Sequence, residues 1–279
     1  MQILLTVAYD GTAYAGWQRQ QNAITIQQRL EEALSVLLGR PISSIAASRT
    51  DAGVHALGQR VAFFADDLRI PVGKLPQVLS GFLPPDISVT AAQPVASGFN
   101  PRFDAAFKTY SYNIYCAPTP NPLLRRYSAY VPRVMDMDAM KQAAGMFVGR
   151  HDFAAFQATG SSAKTTVREI YDCAVTANHA KQNGGVLFPA DTSFCAAEKQ
   201  PAHDHIPYLI TLTITGNGFL YNMVRIIAGT VLYVGLGKIP PDAIPKIINS
   251  RDRTKAGKTM PPEGLTLLGV GYTKYGQLE

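Results

Sequence analysis

The first hundred residues alternate between apolar runs of strand length and helix-type patterns, which limits the fold to a mixed α+β class. Residues 2–9 read as a buried strand. Thr25 and Gln28 form a capping box at the start of the next segment, and Gly39 ends it. Apolar side chains recur at helical spacing between these signals and predict a helix that buries one face, consisting of Ile26, Leu30, Ala33, Leu34, Leu37 and Leu38.

Four further signals complete the pattern of this region. They are a short strand near 42–48, a strand at 60–65, a helix near 72–81 and a strand at 86–92. The resulting order, β-α-β-β-α-β, is the ferredoxin-like arrangement.

The remaining chain shows a similar mixture. Strand patterns occur at 108–115, 165–177, 207–215 and 263–272, and helix patterns follow Asp136, span 219–236 and follow Pro240. We therefore predict an α+β protein of two ferredoxin-like halves, residues 1–104 and 105–279, with antiparallel sheets flanking a central active-site cleft. Residues 178–207 are too long for a hairpin connection and are predicted to be an insertion.

Composition excludes several classes of protein. The chain of 279 residues carries 26 Lys and Arg against 20 Asp and Glu, a formal net charge of +6 that slightly favours a polyanionic partner. Its three widely spaced cysteines suggest neither a disulfide framework nor a zinc site, and Cys195 with His203 and His205 is better explained as a polar loop than as a metal cluster. No leader or long apolar segment is evident, so we expect a cytoplasmic protein that does not cross a membrane.

The segment S-R-T-D-A-G-V-H-A-L-G-Q contains one acid, Asp51, with two readings. An aspartate before Ala-Gly is good turn chemistry, and Asp10 in Y-D-G-T is a second turn candidate. Alternatively, Asp51 is a nucleophile that a guanidinium, beginning with the neighbouring Arg49, keeps ionised. Aspartic protease and glycosidase chemistry fit poorly, because each needs a second acid that the motif lacks.

Two further features also have alternative readings. The tyrosines of A-F-K-T-Y-S-Y-N-I-Y, Tyr110 and Tyr112, suit either a packed sheet face or a platform on which bases stack. Arg225 lies in the apolar helix pattern F-L-Y-N-M-V-R-I-I, so it either extends to solvent or pairs with an acid such as Asp51. His55 and His151 are candidates either for packing or for contact with RNA. Dispersed basic residues are compatible with a phosphate backbone, and they include Arg19, Arg125, Arg126, Arg251, Arg253, Lys255 and Lys258.

Six segments in order resemble the tRNA pseudouridine synthase A family. They are Y-D-G-T-A-Y-A-G-W-Q-R-Q, S-R-T-D-A-G-V-H-A-L-G-Q, R-F-D-A-A-F-K-T-Y-S-Y, H-D-F-A-A-F, G-F-L-Y-N-M-V-R-I-I-A-G and P-P-E-G-L-T-L-L-G-V. Together they span nearly the whole chain. Ser48 stands where the family motif leads us to expect glycine, and the segment at 178–207 looks longer than usual.

The resemblance implies a role for each of four residues. Asp51 corresponds to the catalytic aspartate, Tyr110 to the tyrosine that stacks on the target base, and Arg225 to the arginine paired with the catalytic acid. Arg49 corresponds to an arginine that helps to hold the place of the flipped-out nucleotide. The family's homodimers isomerise uridines in the anticodon stem-loop of tRNA, roughly positions 38–40 in tRNA numbering, without a cofactor or metal. A non-catalytic tRNA-binding protein on the same scaffold is the alternative, and it would not need Asp51.

Overall fold

The computed structural model describes residues 1–66, 68–160, 163–179, 208–273 and 275–276. The predicted insertion lies almost wholly outside these residues, as do Cys195, His203 and His205. Two compact units are formed, and each consists of several chain segments: Met1–Ser111, Thr215–Phe219 and Leu265–Glu279 in the first, Tyr112–Ile214 and Leu220–Gly264 in the second. Within the described residues, no helix is long and apolar enough to cross a membrane.

The first unit is built on a mixed sheet with two helices. Its elements in chain order are β1 (Gln2–Tyr9), α1 (Ile26–Leu38), β2 (Ser44–Ala46), β3 (His55–Phe64), α2 (Leu75–Leu79) and β4 (Ile87–Val95). Strand β1 lies between β3 and β4 and is antiparallel to both, while β2 pairs antiparallel with the far end of β3. A late segment, β10 (Leu265–Gly271), pairs in parallel with the beginning of β3 through Thr266 and His55.

Helix α1 forms as predicted, with one difference at its start. Thr25 Oγ1 accepts the backbone N–H of Gln28 at 3.3 Å, and Gly39 ends the helix in a left-handed conformation. The side-chain amide of Gln28 donates to Glu32 (2.8 Å) rather than completing the capping box. Two polar residues, Gln27 and Glu31, join the buried face. Glu31 accepts hydrogen bonds from the backbone N–H and the hydroxyl of Ser44, which fastens α1 to β2.

The second unit also combines strands and helices. Strand β5 (Phe107–Cys116) begins in the first unit and ends in the second. It is followed by β6 (Ala129–Val131), α3 (Met137–Gly145), β7 (Gly149–Asp152), β8 (Val167–His179), β9 (Tyr208–Gly216), α4 (Met223–Gly235) and α5 (Ile244–Ser250). Strand β6 pairs in parallel with β5, and β7 pairs antiparallel with β8. The side chain of Asp136 caps α3 as predicted, by accepting the N–H of Ala139 at 2.9 Å.

The predicted mixed α+β class is confirmed, and individual boundaries differ. The helix predicted at 219–236 begins only at Met223, because Asn222 adopts a left-handed backbone with φ 60°. The short strands β6 and β7 were not predicted, since three or four residues carry too little periodicity. The ferredoxin-like description of both halves and the domain boundary at residue 104 stay predictions.

Candidate active site

Asp51 lies in the loop between β2 and β3, immediately before a tight turn. Val54 donates its backbone N–H to the Asp51 carbonyl at 3.1 Å, and Gly53 has a left-handed backbone with φ +77°. The bend predicted at Ala52 and Gly53 is therefore present. Because β3 starts at His55, the motif contains both the turn and the first residues of the next strand.

The four residues that lead into this turn alternate between buried and accessible. Ser48 and Thr50 are buried, whereas Arg49 is exposed and Asp51 is half-buried. The two charged side chains are therefore the more accessible ones, and the two hydroxyl side chains are buried.

Residues from two other strands hold the main chain in front of the turn. Gln59, which is fully buried in β3, accepts the N–H of Ser48 at 3.1 Å and donates to its carbonyl at 2.7 Å. The carbonyl of Arg60 accepts the N–H of Ala47 at 2.8 Å, and Lys108 of β5 donates its Nζ to the Ala47 carbonyl at 2.5 Å. Since buried backbone groups are costly to leave unpaired, these bonds fix the path of the chain.

The segment Y-D-G-T-A-Y-A-G-W holds the turn from another direction. The Tyr9 hydroxyl hydrogen-bonds to Thr50 Oγ1 at 2.7 Å, and Trp17 donates its N–H to the Thr50 carbonyl at 3.0 Å. Gly16 approaches so closely that a Cβ atom there would lie 2.7 Å from the Thr50 carbonyl oxygen. Burial raises the pKa of Tyr9, so its phenol stays neutral and can hold this bond at any physiological pH.

Tyr110 of β5 lies close to Asp51. Its ring is buried and meets Phe219 edge-on, with centroids 5.2 Å apart. Burial raises the pKa of Tyr110 to about 12; the Ser48 hydroxyl acts in the opposite direction, and the Asp51 carboxylate adds to the rise. The structure thus brings together two of the predicted site residues, Asp51 and Tyr110, within the first unit.

The buried His55 contacts the half-buried Asp10 beside the same turn. Asp10 Oδ1 lies 3.2 Å from His55 Nδ1, and the same nitrogen is 3.1 Å from the N–H of Gly11. Asp10 also accepts the backbone N–H of Thr12 at 2.9 Å, which confirms its predicted role as a turn former. His55 therefore packs between the two motifs, and a contact of His55 or His151 with RNA stays a prediction. His151 lies in β7 of the second unit.

Arg225 lies near the start of α4, in the second unit. Its Nε donates to the Met260 carbonyl and its Nη1 to Asn222 Oδ1, both at 2.6 Å. These contacts hold the guanidinium of an otherwise apolar helix at a defined position. The pairing of Arg225 with Asp51 stays a prediction, as does the role of Arg49.

Three of the basic residues named above have partners within the protein. Arg19 contacts the buried Glu31 at 3.1 Å, and Arg251 contacts Asp152 at 3.0 Å. Arg253 donates to backbone and hydroxyl oxygens of the following loop. These contacts orient the side chains, and their use against phosphate stays a prediction. Among the described residues, no group of three or more His, Cys, Asp and Glu side chains is arranged to hold a metal ion.

Sequence reasoning missed the residues that support Asp51. Gln59, Lys108 and Tyr9 come from three different strands, and none stands out by residue type alone. Gln59 closes the segment S-R-T-D-A-G-V-H-A-L-G-Q and precedes the strand predicted at 60–65, so no apolar pattern marks it as a buried residue.

The sequence matches both a known family pattern and full-length relatives. The pattern described as tRNA pseudouridine synthase matches residues 5–104 and 143–273, which is most of the chain. The chain belongs to the tRNA pseudouridine synthase family. This family consists of isomerases, so the protein is an enzyme of that class.

Full-length relatives support the same assignment. The protein is 44% identical over 270 residues to tRNA pseudouridine synthase A of Caldicellulosiruptor bescii, which covers 97% of this chain and 99% of the relative. It is 43% identical to the enzyme of the same name from Ruminiclostridium cellulolyticum and 42% identical to that from Thermoanaerobacter sp. strain X514, with the same coverage. The predicted family is therefore confirmed.

Proposed function

We propose that this protein isomerises uridine to pseudouridine in tRNA and that Asp51 is its catalytic residue. One observation carries the proposal. Asp51, the single acid of the family motif, is accessible, and hydrogen bonds from three strands hold the main chain directly in front of it. It also lies near enough to Tyr110 to affect that phenol. A held carboxylate beside an aromatic ring suits chemistry on a base that has left its stack.

The reaction needs no outside reactant. The N1–C1′ bond of uridine breaks, the base turns, and a C5–C1′ bond forms, while C5 loses a proton and N1 gains one. Asp51 acts through its ionised form, by attack at C1′, by attack at C6 or by removing the C2′ proton. Each of these three routes uses the same half-buried, accessible position of the carboxylate.

Tyr110 supplies a neutral aromatic surface for the target base. With its pKa raised to about 12, the phenol stays protonated through the physiological range, so it carries no charge against the Asp51 carboxylate. Arg49, the exposed neighbour, holds the place that the flipped nucleotide vacates. Arg225 is proposed to keep Asp51 ionised, and its fixed guanidinium supports that role.

We further propose the finer features that the family resemblance implies. The target uridines lie in the anticodon stem-loop, roughly positions 38–40 in tRNA numbering, and the enzyme is a cytoplasmic homodimer that uses no cofactor. Each half is proposed to be ferredoxin-like, with a boundary near residue 104. The element order of the first unit, β-α-β-β-α-β, supports this description.

The test compares two Asp→Asn variants on tRNA labelled with tritium at C5 of uridine. Asp51→Asn should abolish tritium release while the Kd for tRNA changes less than about threefold, because the shape of the side chain is preserved. Asp138→Asn removes an acid that is almost fully exposed on α3 and should release tritium at the wild-type rate. Release from Asp51→Asn at the wild-type rate would refute the catalytic assignment of Asp51, whereas an absence of release from the wild type itself would favour a non-catalytic tRNA-binding role.

A further inference from the structure

Residues 100–104 form a tight turn that presents one aromatic ring to solvent. Asn100 Oδ1 accepts the backbone N–H groups of Arg102 and Phe103 at 3.0 and 3.2 Å. Its own N–H donates to Asp104 Oδ2 at 2.8 Å, and its carbonyl accepts the N–H of Asp104 at 3.0 Å. Reciprocal bonds of this kind leave the turn little freedom.

The turn is also fastened to the sheet of the first unit. Gln2 of β1 donates to the Phe99 carbonyl at 2.6 Å and accepts the N–H of Gly98 at 3.0 Å. The Phe99 ring meets Tyr272 edge-on at 4.9 Å, and the Tyr272 hydroxyl donates to the Pro101 carbonyl at 3.2 Å. The position of the turn is therefore set by the fold.

Despite this support, the ring at the tip of the turn is not buried. Phe103 is 77% exposed, more than any other large apolar side chain in the described part of the chain. The ring is not part of a large apolar patch, because its neighbours Arg102 and Asp104 are charged and are exposed as well. A single ring on a rigid support is too small for a protein interface, which buries roughly 1,000 Å² or more.

The chemistry around the ring points to a nucleic acid. The Arg102 guanidinium lies over the Phe103 ring, 5.7 Å from its centroid, so a cation and an aromatic face are presented together. Unpaired bases stack on exposed aromatic rings, and arginine contacts the adjoining phosphate. The neighbouring Asp104 carboxylate repels a phosphate less than a free carboxylate would, because it accepts the backbone N–H of Asn100.

We propose that Phe103 stacks on an unpaired base of the RNA substrate and that Arg102 contacts the neighbouring phosphate. This second stacking site is distinct from Tyr110, whose buried ring belongs to the reacting base. It holds a nucleotide outside the reaction and so fixes the register of the RNA against Asp51. The inference rests on the proposed function, because it takes an RNA as the substrate.

Binding measurements with an unmodified tRNA transcript test the stacking. Phe103→Ala and Phe103→Leu should both raise the Kd about five- to a hundredfold, and Phe103→Trp should keep it within about threefold, because stacking needs a ring. Phe82, an aromatic residue that is 48% exposed elsewhere in the first unit, provides the control: Phe82→Ala should leave the Kd unchanged. Equal Kd values for wild type and Phe103→Ala would overturn the proposal.

Fluorescence gives a direct second readout. The chain has a single tryptophan, Trp17, which is buried, so Phe103→Trp introduces one exposed reporter. Its emission should be quenched when tRNA binds, whereas emission from Phe82→Trp should not change. Arg102→Ala should reduce the slope of log Kd against log salt by about 0.7–0.9, and Phe103→Ala should leave that slope unchanged.

The outcomes separate this inference from the proposed function. If Asp51→Asn releases no tritium and Phe103→Ala binds tRNA with the wild-type Kd, the proposed function stands and the stacking site is refuted. Weakened binding in Phe103→Ala together with an active Asp51→Asn enzyme overturns the catalytic assignment and supports the RNA contact. A change of sedimentation coefficient in Phe103→Ala, without tRNA, would assign the ring to a protein contact and overturn the proposal.

Discussion

Gly16 offers a sharp test of how the turn that carries Asp51 is held in place. The residue has φ +87°, and a Cβ atom added there would lie 2.7 Å from the Thr50 carbonyl oxygen. Ordinary contact begins near 3.4 Å, so in Gly16→Ala this carbonyl has to withdraw by about 0.7 Å. The same carbonyl accepts the N–H of Trp17, so the shift also strains that hydrogen bond.

Gly39 separates the cost of backbone strain from the cost of the collision. It has φ +67° at the end of α1, and an added Cβ would meet nothing within 4 Å. Gly39→Ala should therefore lower the free energy of unfolding by only the left-handed strain of alanine, about 1–2 kcal/mol. Gly16→Ala should lower it by about 2–3 kcal/mol, because a weakened hydrogen bond worth about 1 kcal/mol is added.

The two variants should differ most in catalysis. A displacement approaching 1 Å beside a reacting group costs on the order of 10²-fold in rate, so Gly16→Ala should lose about that factor and Gly39→Ala almost none. Single-turnover tritium release at saturating enzyme measures the rate, and urea unfolding measures stability. If Gly16→Ala turned over at the rate of Gly39→Ala, the turn would not depend on the approach of Gly16, and the reasoning would be wrong.

Three other predictions concern the same site. Tyr110 has a pKa of about 12, raised from the usual 10, so its stabilising effect is present below pH 10 and is lost as pH rises through 12. The free energy of unfolding of the wild type should fall between pH 10 and 12, and in Tyr110→Phe this fall should be smaller by roughly 2–3 kcal/mol. Urea unfolding followed by circular dichroism at each pH measures the difference. Gln59→Leu should cost about 2–4 kcal/mol in urea unfolding, because it strands two buried backbone groups; Gln77→Leu, at an exposed position, should cost under about 0.5 kcal/mol. If Arg225 keeps Asp51 ionised, Arg225→Met should move the acidic limb of the pH–rate profile upward by about 1–3 units, and an unmoved limb would refute the pairing.

Local chemistry made part of this site predictable. The turn at Ala52 and Gly53, the helix α1 and the cap at Asp136 depend on residues within a few positions of one another, so periodicity and turn preferences are sufficient to find them. The family motif likewise singled out Asp51 from its neighbours.

The support around Asp51 could not be predicted in this way. Lys108 reaches Ala47 across 61 positions of the chain, and Tyr9 reaches Thr50 across 41. Nothing in the local sequence records such distant partners. The late start of α4 is a comparable case: the left-handed backbone of Asn222 keeps residues 219–222 out of a helix that their apolar pattern predicts, and the side-chain oxygen of Asn222 accepts a hydrogen bond from Arg225.

The parallel pairing of β10 with β3 has a consequence for how the enzyme is made. The strand that leaves the Asp51 turn obtains one of its neighbours from residues 265–271, through Thr266 beside His55. The ribosome synthesises β10 about two hundred residues after the Asp51 turn, which at the usual rate of synthesis is at least about ten seconds later. In a nascent chain the Asp51 turn thus stands at the end of an unfinished sheet until residues 265–271 have been made, so we expect no activity before that strand is in place.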